Sequence, residues 1–219
     1  MPIVALGGAA DERLLDYVLA LTERPHPRLL YVPTAAFEDA DATLAIYKGF
    51  HGKADVSHLE FCPWPPPDLR EVAVAQDLIF VGGGNTANML AVWRVHGFDR
   101  VLREAWERGV VLAGWSAGAI CWFEAGLTDS FGPQLEGMRD GLGLLQGSAC
   151  PHYDGEALRR PRYTELVRDG FPAGIAIDDD VGVHFDGTEL AEVVTTREGA
   201  TAYRVSRDGE ERLDARLLE

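Results

Sequence analysis

The sequence predicts an α/β fold of three layers, with a doubly wound, mostly parallel sheet and an antiparallel C-terminal extension, all in one domain over residues 1–219. Short runs rich in β-branched residues alternate with longer helical patterns, the signature of βα repeats. Two of these runs, Asp77–Val81 and Gly109–Ala113, are apolar throughout and not alternating, as strands covered on both faces are. From Gly174 onward the texture changes to strand-like pieces joined by Asp186-Gly187, Glu198-Gly199 and Asp208-Gly209, which read as hairpin turns extending the same sheet.

Taken in order, Ile3–Leu6 is the first strand, broken by Gly7 and Gly8, and a helix follows from about Asp11, whose carboxylate suits an N-cap. Arg28–Val32 is a second strand ended by Pro33, with a helical stretch from Thr34 to about Gly52. Val56–Phe61 gives a weaker third strand, and the proline-rich Cys62–Asp68 must be irregular. Asp77–Val81 is followed by Gly82-Gly83-Gly84-Asn85-Thr86 and a helix through about His96. Gly109–Ala113 leads into Gly114-Trp115-Ser116-Ala117-Gly118 and the start of another helix.

Bulk properties narrow the function. A chain of 219 residues buries roughly three-quarters of its unfolded surface, enough for a core without staples. The net charge of −15 repels phosphate backbones and anionic lipid, so neither nucleic acid nor membrane is an expected partner. No apolar run approaches the roughly 20 residues that span a bilayer, and the N-terminus lacks the pattern of a signal peptide. Cys62, Cys121 and Cys150 are scattered and without CxxC spacing, which fits a reducing cytoplasm and neither a disulfide frame nor zinc. No metal or organic cofactor is implied, because His, Cys and acidic residues never gather at ligand spacing. The pattern leaves monomer and homodimer equally open.

The chemistry centres on Ser116. Gly114–Gly118 matches G-x-S-x-G between a buried strand and a helix, the setting in which this motif holds a nucleophile. Side chains at either flanking glycine would crowd the neighbouring strand or helix. The turn lifts the hydroxyl beside free N–H groups at the start of the following helix, where the Ala117 amide is the natural first oxyanion donor. The three glycines 82–84 let a second backbone amide point into the cleft, Gly84 being the choice, with Asn85 on the same loop as a substrate contact. A dinucleotide reading fails because GGGNTA lacks the third glycine of G-x-G-x-x-G. Of the histidines at 26, 51, 58, 96, 152 and 184, His152 stands out, between an apolar strand-like piece and a charged helix. An orienting carboxylate is also expected, and Asp178-Asp179-Asp180 close another strand, although three adjacent acids repel one another unless something local compensates.

With VGGGNT (Val81–Thr86), GWSAGA (Gly114–Ala119), PHY (Pro151–Tyr153) and GIAIDDD (Gly174–Asp180) in order, the chain resembles the peptidase E family of serine peptidases, which includes aspartyl dipeptidases and the related cyanophycinases. The resemblance implies a class I glutamine-amidotransferase-like fold, Ser116 as nucleophile, His152 as base and the amides of Gly84 and Ala117 as oxyanion hole. It places Asp179 where the family commonly carries glutamate, so either the backbone sits closer or a water bridges; Asp129 is a second choice for the acid. Asp-Xaa dipeptides are the implied substrates, with Arg159, Arg160 or Arg162 meeting the aspartate side chain and Glu124 or Asp129 the substrate ammonium. The alternatives are another substrate class on the same machinery, such as other small peptides or a β-linked aspartyl polymer, or a silent ligand-binding relative.

Overall fold

The computed structural model describes residues 1–219. Its first half builds the predicted βα alternation: β1 (Pro2–Leu6), α1 (Glu12–Ala20), β2 (Arg28–Val32), α2 (Ala40–Gly49), β3 (Asp55–His58), α3 (Leu69–Val74), β4 (Leu78–Val81), α4 (Thr86–His96), α5 (Phe98–Glu107) and β5 (Val111–Trp115). Local chemistry sets the boundaries. Asp11 caps α1 by accepting from the Leu14 amide at 3.1 Å, and Asp39 and Asp68 cap α2 and α3 in the same way. Gly97, with φ of 72°, closes α4 in the left-handed region that a side chain resists. The stretch after Pro33 does not run as one helix: a single 3-10 turn over Thr34–Ala36 is followed by Phe37 and Glu38, both at positive φ, before α2 begins.

Beyond a short α6 (Ala117–Ile120) the chain makes β6 (Phe123–Thr128), β7 (Glu136–Met138), β8 (Leu145–Cys150), α7 (Arg159–Arg168), β9 (Gly174–Ile177), β10 (Val181–Asp186), β11 (Glu189–Thr195), β12 (Ala202–Ser206), β13 (Gly209–Arg212) and β14 (Arg216–Leu217). These strands belong to two sheets, ordered β14-β11-β10-β1-β5-β4-β2-β3 and β13-β12-β9-β8-β6-β7. The parallel centre is β1, β5, β4, β2 and β3, and β10 joins β1 antiparallel. The antiparallel extension of the main sheet is therefore β10 and β11. Asp186-Gly187 and Asp208-Gly209 do turn hairpins, but Glu198-Gly199 carries the chain across to the second sheet, where β12 pairs with β9. A Gly-containing turn signals reversal, not which sheet receives the next strand.

Strand alternation divides the core. Val4 and Leu6 face α1 and α2 in one cluster, whereas Ile3 and Ala5 face a larger cluster. That larger cluster joins α4, α5 and α6 to residues of the second sheet such as Ala149 and Ile177. Tyr163 and Val167 of α7 cover the far face of the second sheet. No helix is long and apolar enough to cross a membrane.

Candidate active site

β4, β5 and β1 end side by side in the main sheet, and β6, β8 and β9 run parallel in the second sheet. The residues in question follow these strand ends. Ser116 directly follows β5 with φ of 55° and ψ of −112°, a conformation that costs a non-glycine residue about 1–3 kcal/mol. Packing enforces it. A Cβ on Gly114 would lie 2.6 Å from the Val81 carbonyl oxygen and 2.7 Å from that of Gly118, and one on Gly118 would lie 2.3 Å from Val81 O. Trp115 packs edge-on against Phe80 with ring centroids 5.1 Å apart, which steadies the strand just before the bend.

The triple-glycine loop stands against this bend. A Cβ on Gly83 would come within 2.8 Å of the Trp115 ring and 3.2 Å of Ser116 Cβ. Gly84 has φ of +136°, and a Cβ there would be 2.1 Å from the Ala35 carbonyl oxygen. Its amide donates to no acceptor in the protein, while that of Asn85 is bound to Ala35 O at 2.8 Å. Ala117, the first residue of α6, has an amide with no intrahelical acceptor. Two N–H groups without a protein acceptor thus belong to the residue after Ser116 and to the glycine loop that stands against the bend, donors of the kind an oxyanion needs.

His152 follows β8 at φ of 54°, and its Nδ1 lies 2.7 Å from Asp179 Oδ1. An ionised carboxylate only accepts, so the neutral ring keeps its proton on Nδ1 and offers the lone pair of Nε2. The bond is direct: the shorter acid reaches the ring because the backbone comes close. Two glycines permit this. A Cβ on Gly8 would be 2.4 Å from Asp179 Oδ1, and one on Gly155 would be 2.0 Å from Oδ2. No hydrogen bond joins Ser116 and His152 in the structure; Asp179, on Nδ1, is the side-chain partner of the ring.

The three adjacent acids avoid one another by taking different surroundings. Asp178 is buried, accepts from the Thr201 amide at 3.1 Å, and has its carboxyl pushed up by burial. Asp179 turns to His152. Asp180, at φ of 64°, pairs with Arg197 at 3.0 Å.

The other expected residues are placed less simply. Arg159 is buried, forks onto Glu156 at 2.8 and 3.3 Å and donates to Leu127 O at 3.3 Å. Arg160 pairs with Glu210 at 2.7 Å and lies over the rings of Tyr153 and Tyr203, and Arg162 pairs with Glu165 at 2.6 Å and donates to Leu135 O. Neither of these last two is brought to the serine; their partners lie on the outer side of the second sheet. Asn85 spends its side chain inside the fold, capping α4 through Asn88 N and donating to Ser130 O, each at 2.9 Å. Glu124 accepts from Gly147 N at 2.9 Å. Asp129 has no hydrogen-bond or ion-pair contact to His152, so Asp179 is the acid that meets the ring. Sequence reasoning missed Gly8 and Gly155, which seat the Asp179 carboxylate, and Arg197 and Asp154, which surround it. Gly7-Gly8 at a strand end was the one available signal, and it reads equally well as a strand breaker. No three His, Cys, Asp or Glu side chains gather in a metal-binding arrangement.

Residues 3–193 match the model of peptidase family S51. The chain is 46% identical over 211 residues to the uncharacterized peptidase YgaJ of Bacillus subtilis, covering 93% of this chain and 91% of that one. It is 27% identical over 198 residues to peptidase E of Shewanella denitrificans, covering 86% and 83%. The crystal structure of a peptidase from an acI-B1 actinobacterium superposes with a TM-score of 0.69 at 20% identity, over 98% of this chain and 94% of that one, which shows the shared fold. An α/β chain with this elbow, and with family and relatives of this kind, belongs to peptidase family S51, a family of serine-type peptidases.

Proposed function

We propose that this protein hydrolyses small peptides by acyl transfer through Ser116. His152 Nε2 takes the Ser116 proton as Oγ attacks the peptide carbonyl, and the amides of Gly84 and Ala117 hold the oxyanion. His152 then gives its proton to the leaving amine, and water, activated by the same ring, releases the acid and restores the serine. The observation that carries this reading is the 2.7 Å bond between His152 Nδ1 and Asp179 Oδ1, which leaves the lone pair of Nε2 free, together with the positive φ of Ser116 on its elbow. The three cysteines are unpaired, in keeping with the expected reducing cytoplasm.

Within that chemistry, Asp-Xaa dipeptides are the expected substrates, with Arg159, Arg160 or Arg162 as the expected partner of the aspartate side chain, since a guanidinium fork suits a carboxylate. A second reading, a different small peptide or a β-linked aspartyl polymer, is favoured by the pairing of all three expected arginines with glutamates of this chain. A panel of Asp-Xaa, Glu-Xaa and neutral dipeptides with cyanophycin, run on wild type and Ser116→Ala, separates them. Turnover of Asp-Xaa alone supports the first reading, and turnover elsewhere the second. Activity that survives in Ser116→Ala overturns the mechanism.

A further inference from the structure

Asp179 is held by more than the two glycines beside its carboxylate. Its backbone N–H donates to Asp154 Oδ1 at 2.9 Å, and its carbonyl oxygen accepts from Arg197 Nη2 at 3.0 Å. The same Nη2 binds Asp154 Oδ2, and Nε of Arg197 binds Asp180 Oδ2 at 3.0 Å. Asp154 and Arg197 therefore grip the two sides of Asp179 while paired with each other. The ring of contacts is closed.

Arg197 is itself fixed before it reaches Asp179. It stands on the segment between β11 and β12 where the chain leaves the main sheet for the second one. Its amide donates to Thr195 Oγ1 at 3.2 Å, and the buried Thr195 hydroxyl lies 3.1 Å from the Asp180 carbonyl oxygen. The Thr196 amide also donates to Asp180 O, at 3.1 Å. Arg197 lies just past the segment 3–193 that matches the family model.

We infer that Arg197 is a positioning residue for catalysis, holding Asp179 where its short side chain meets His152 Nδ1. Two physical reasons support this. An aspartate has too little reach to recover a bond if its backbone drifts, and misplacement of about 1 Å costs about 100-fold in rate. Arg197 also supplies the one guanidinium shared by Asp154 and Asp180, so its loss leaves two unneutralised carboxylates beside Asp179. The inference rests on the proposed roles of His152 and Asp179.

The test compares Arg197→Gln and Arg197→Lys with wild type, reading kcat and KM on the best substrate of the panel. In parallel, the low-field Nδ1 proton of His152 is followed by NMR in histidine-labelled protein. Arg197→Gln is expected to lower kcat about 10- to 100-fold with KM within about threefold, and to broaden or shift the Nδ1 resonance. Arg197→Lys, which keeps the charge without the fork, is expected to recover part of both. A kcat within about twofold of wild type overturns the inference whatever happens to Tm, as does a loss of kcat with the resonance unmoved. If Arg197→Gln does not fold, the lysine variant alone decides by the same two readings. If wild type turns over no member of the panel, the functional reading fails, and the resonance by itself then supports or overturns the placement of Asp179 by Arg197.

Discussion

Ser116 and His152 hang from neighbouring carbonyls of one strand end: the Ser116 amide donates to Leu6 O and the His152 amide to Gly7 O, both at 3.2 Å. Residues 36 positions apart in sequence (152 − 116) are thus hung from consecutive links of β1 and its extension. Gly7 is required for this, since a Cβ there would sit 2.0 Å from the Asp178 carbonyl oxygen. Ser116 and His152, the proposed nucleophile and base, are set by backbone, not by long side chains reaching across a cleft.

Replacing Ser116 by alanine should therefore abolish turnover without loosening the fold. The expected fall in kcat is on the order of a million-fold, as for other nucleophiles that act as a unit with their base. Thermal melting should show Tm unchanged, because Ser116 Oγ contributes no hydrogen bond to the folded state and its backbone stays on Leu6.

The Asp179 position should tolerate neither of its conservative replacements. Asp179→Asn can offer an amide donor to Nδ1 and so favour the wrong tautomer, with an expected loss of about 10,000-fold in kcat. Asp179→Glu restores the length common in the family but pushes an added methylene into a slot where Gly8 and Gly155 leave no room for even a methyl group. Both variants are checked by kcat/KM on the same substrate, and full activity of the glutamate variant would contradict the close-backbone account.

Gly84→Ala tests the oxyanion donor. The added methyl meets Ala35 O at 2.1 Å in a backbone region unfavourable to alanine, so the loop must move and carry its amide away. Losing one such donor costs about 100- to 1,000-fold in kcat. KM should change far less than kcat, which steady-state kinetics would show.

Stability should fall with acid through His184. Tyr17 donates to Glu192 at 3.0 Å, so His184 Nδ1 donates to the Tyr17 oxygen at 2.9 Å and leaves Nε2 buried without a partner. Burial pulls the ring below its ordinary 6.5, against the pull of Glu192 and Asp186; the N-terminal ammonium adds to the lowering, and Arg216 faces the cluster from β14. The unfolded chain then binds the proton first, so stability is complete above the unfolded value and declines as pH drops through it toward the lower folded one. Tm measured between about pH 7 and pH 5 should fall less steeply in His184→Gln than in wild type.

Thiol chemistry should single out Cys62. Cys121 and Cys150 are fully buried and burial pushes both thiols well up, whereas Cys62 is exposed. Iodoacetamide on the native protein should label one site, and mass spectrometry should find it at Cys62.

Much of this site is legible in the sequence because strand–glycine–serine punctuation is local. Arg28–Val32 and Gly174–Ile177 fall where apolar runs place them, and Ser116 and the Gly82–Gly84 loop follow from their own neighbours. What is not legible is long-range. Nothing near Glu198-Gly199 tells that the chain changes sheets there, so the bracing of Asp179 from Arg197 is invisible before folding. The arginines of α7 mislead for a related reason: a cation reads as available until its glutamate partners, Glu156, Glu165 and Glu210, are seen in place. The spread of Asp178, Asp179 and Asp180 over core, histidine and ion pair is likewise a matter of tertiary partners.

Ser116 rises from one sheet, while His152 and Asp179 come from the other, with α6 and a shared apolar cluster between them. The packing of that seam between the sheets therefore bears on how the serine and the imidazole are placed, although both also lean by their amides on the end of β1. Thinning the filling of that seam, at Ile177 or Ile120 for instance, should blunt turnover while each sheet keeps its own pairing intact.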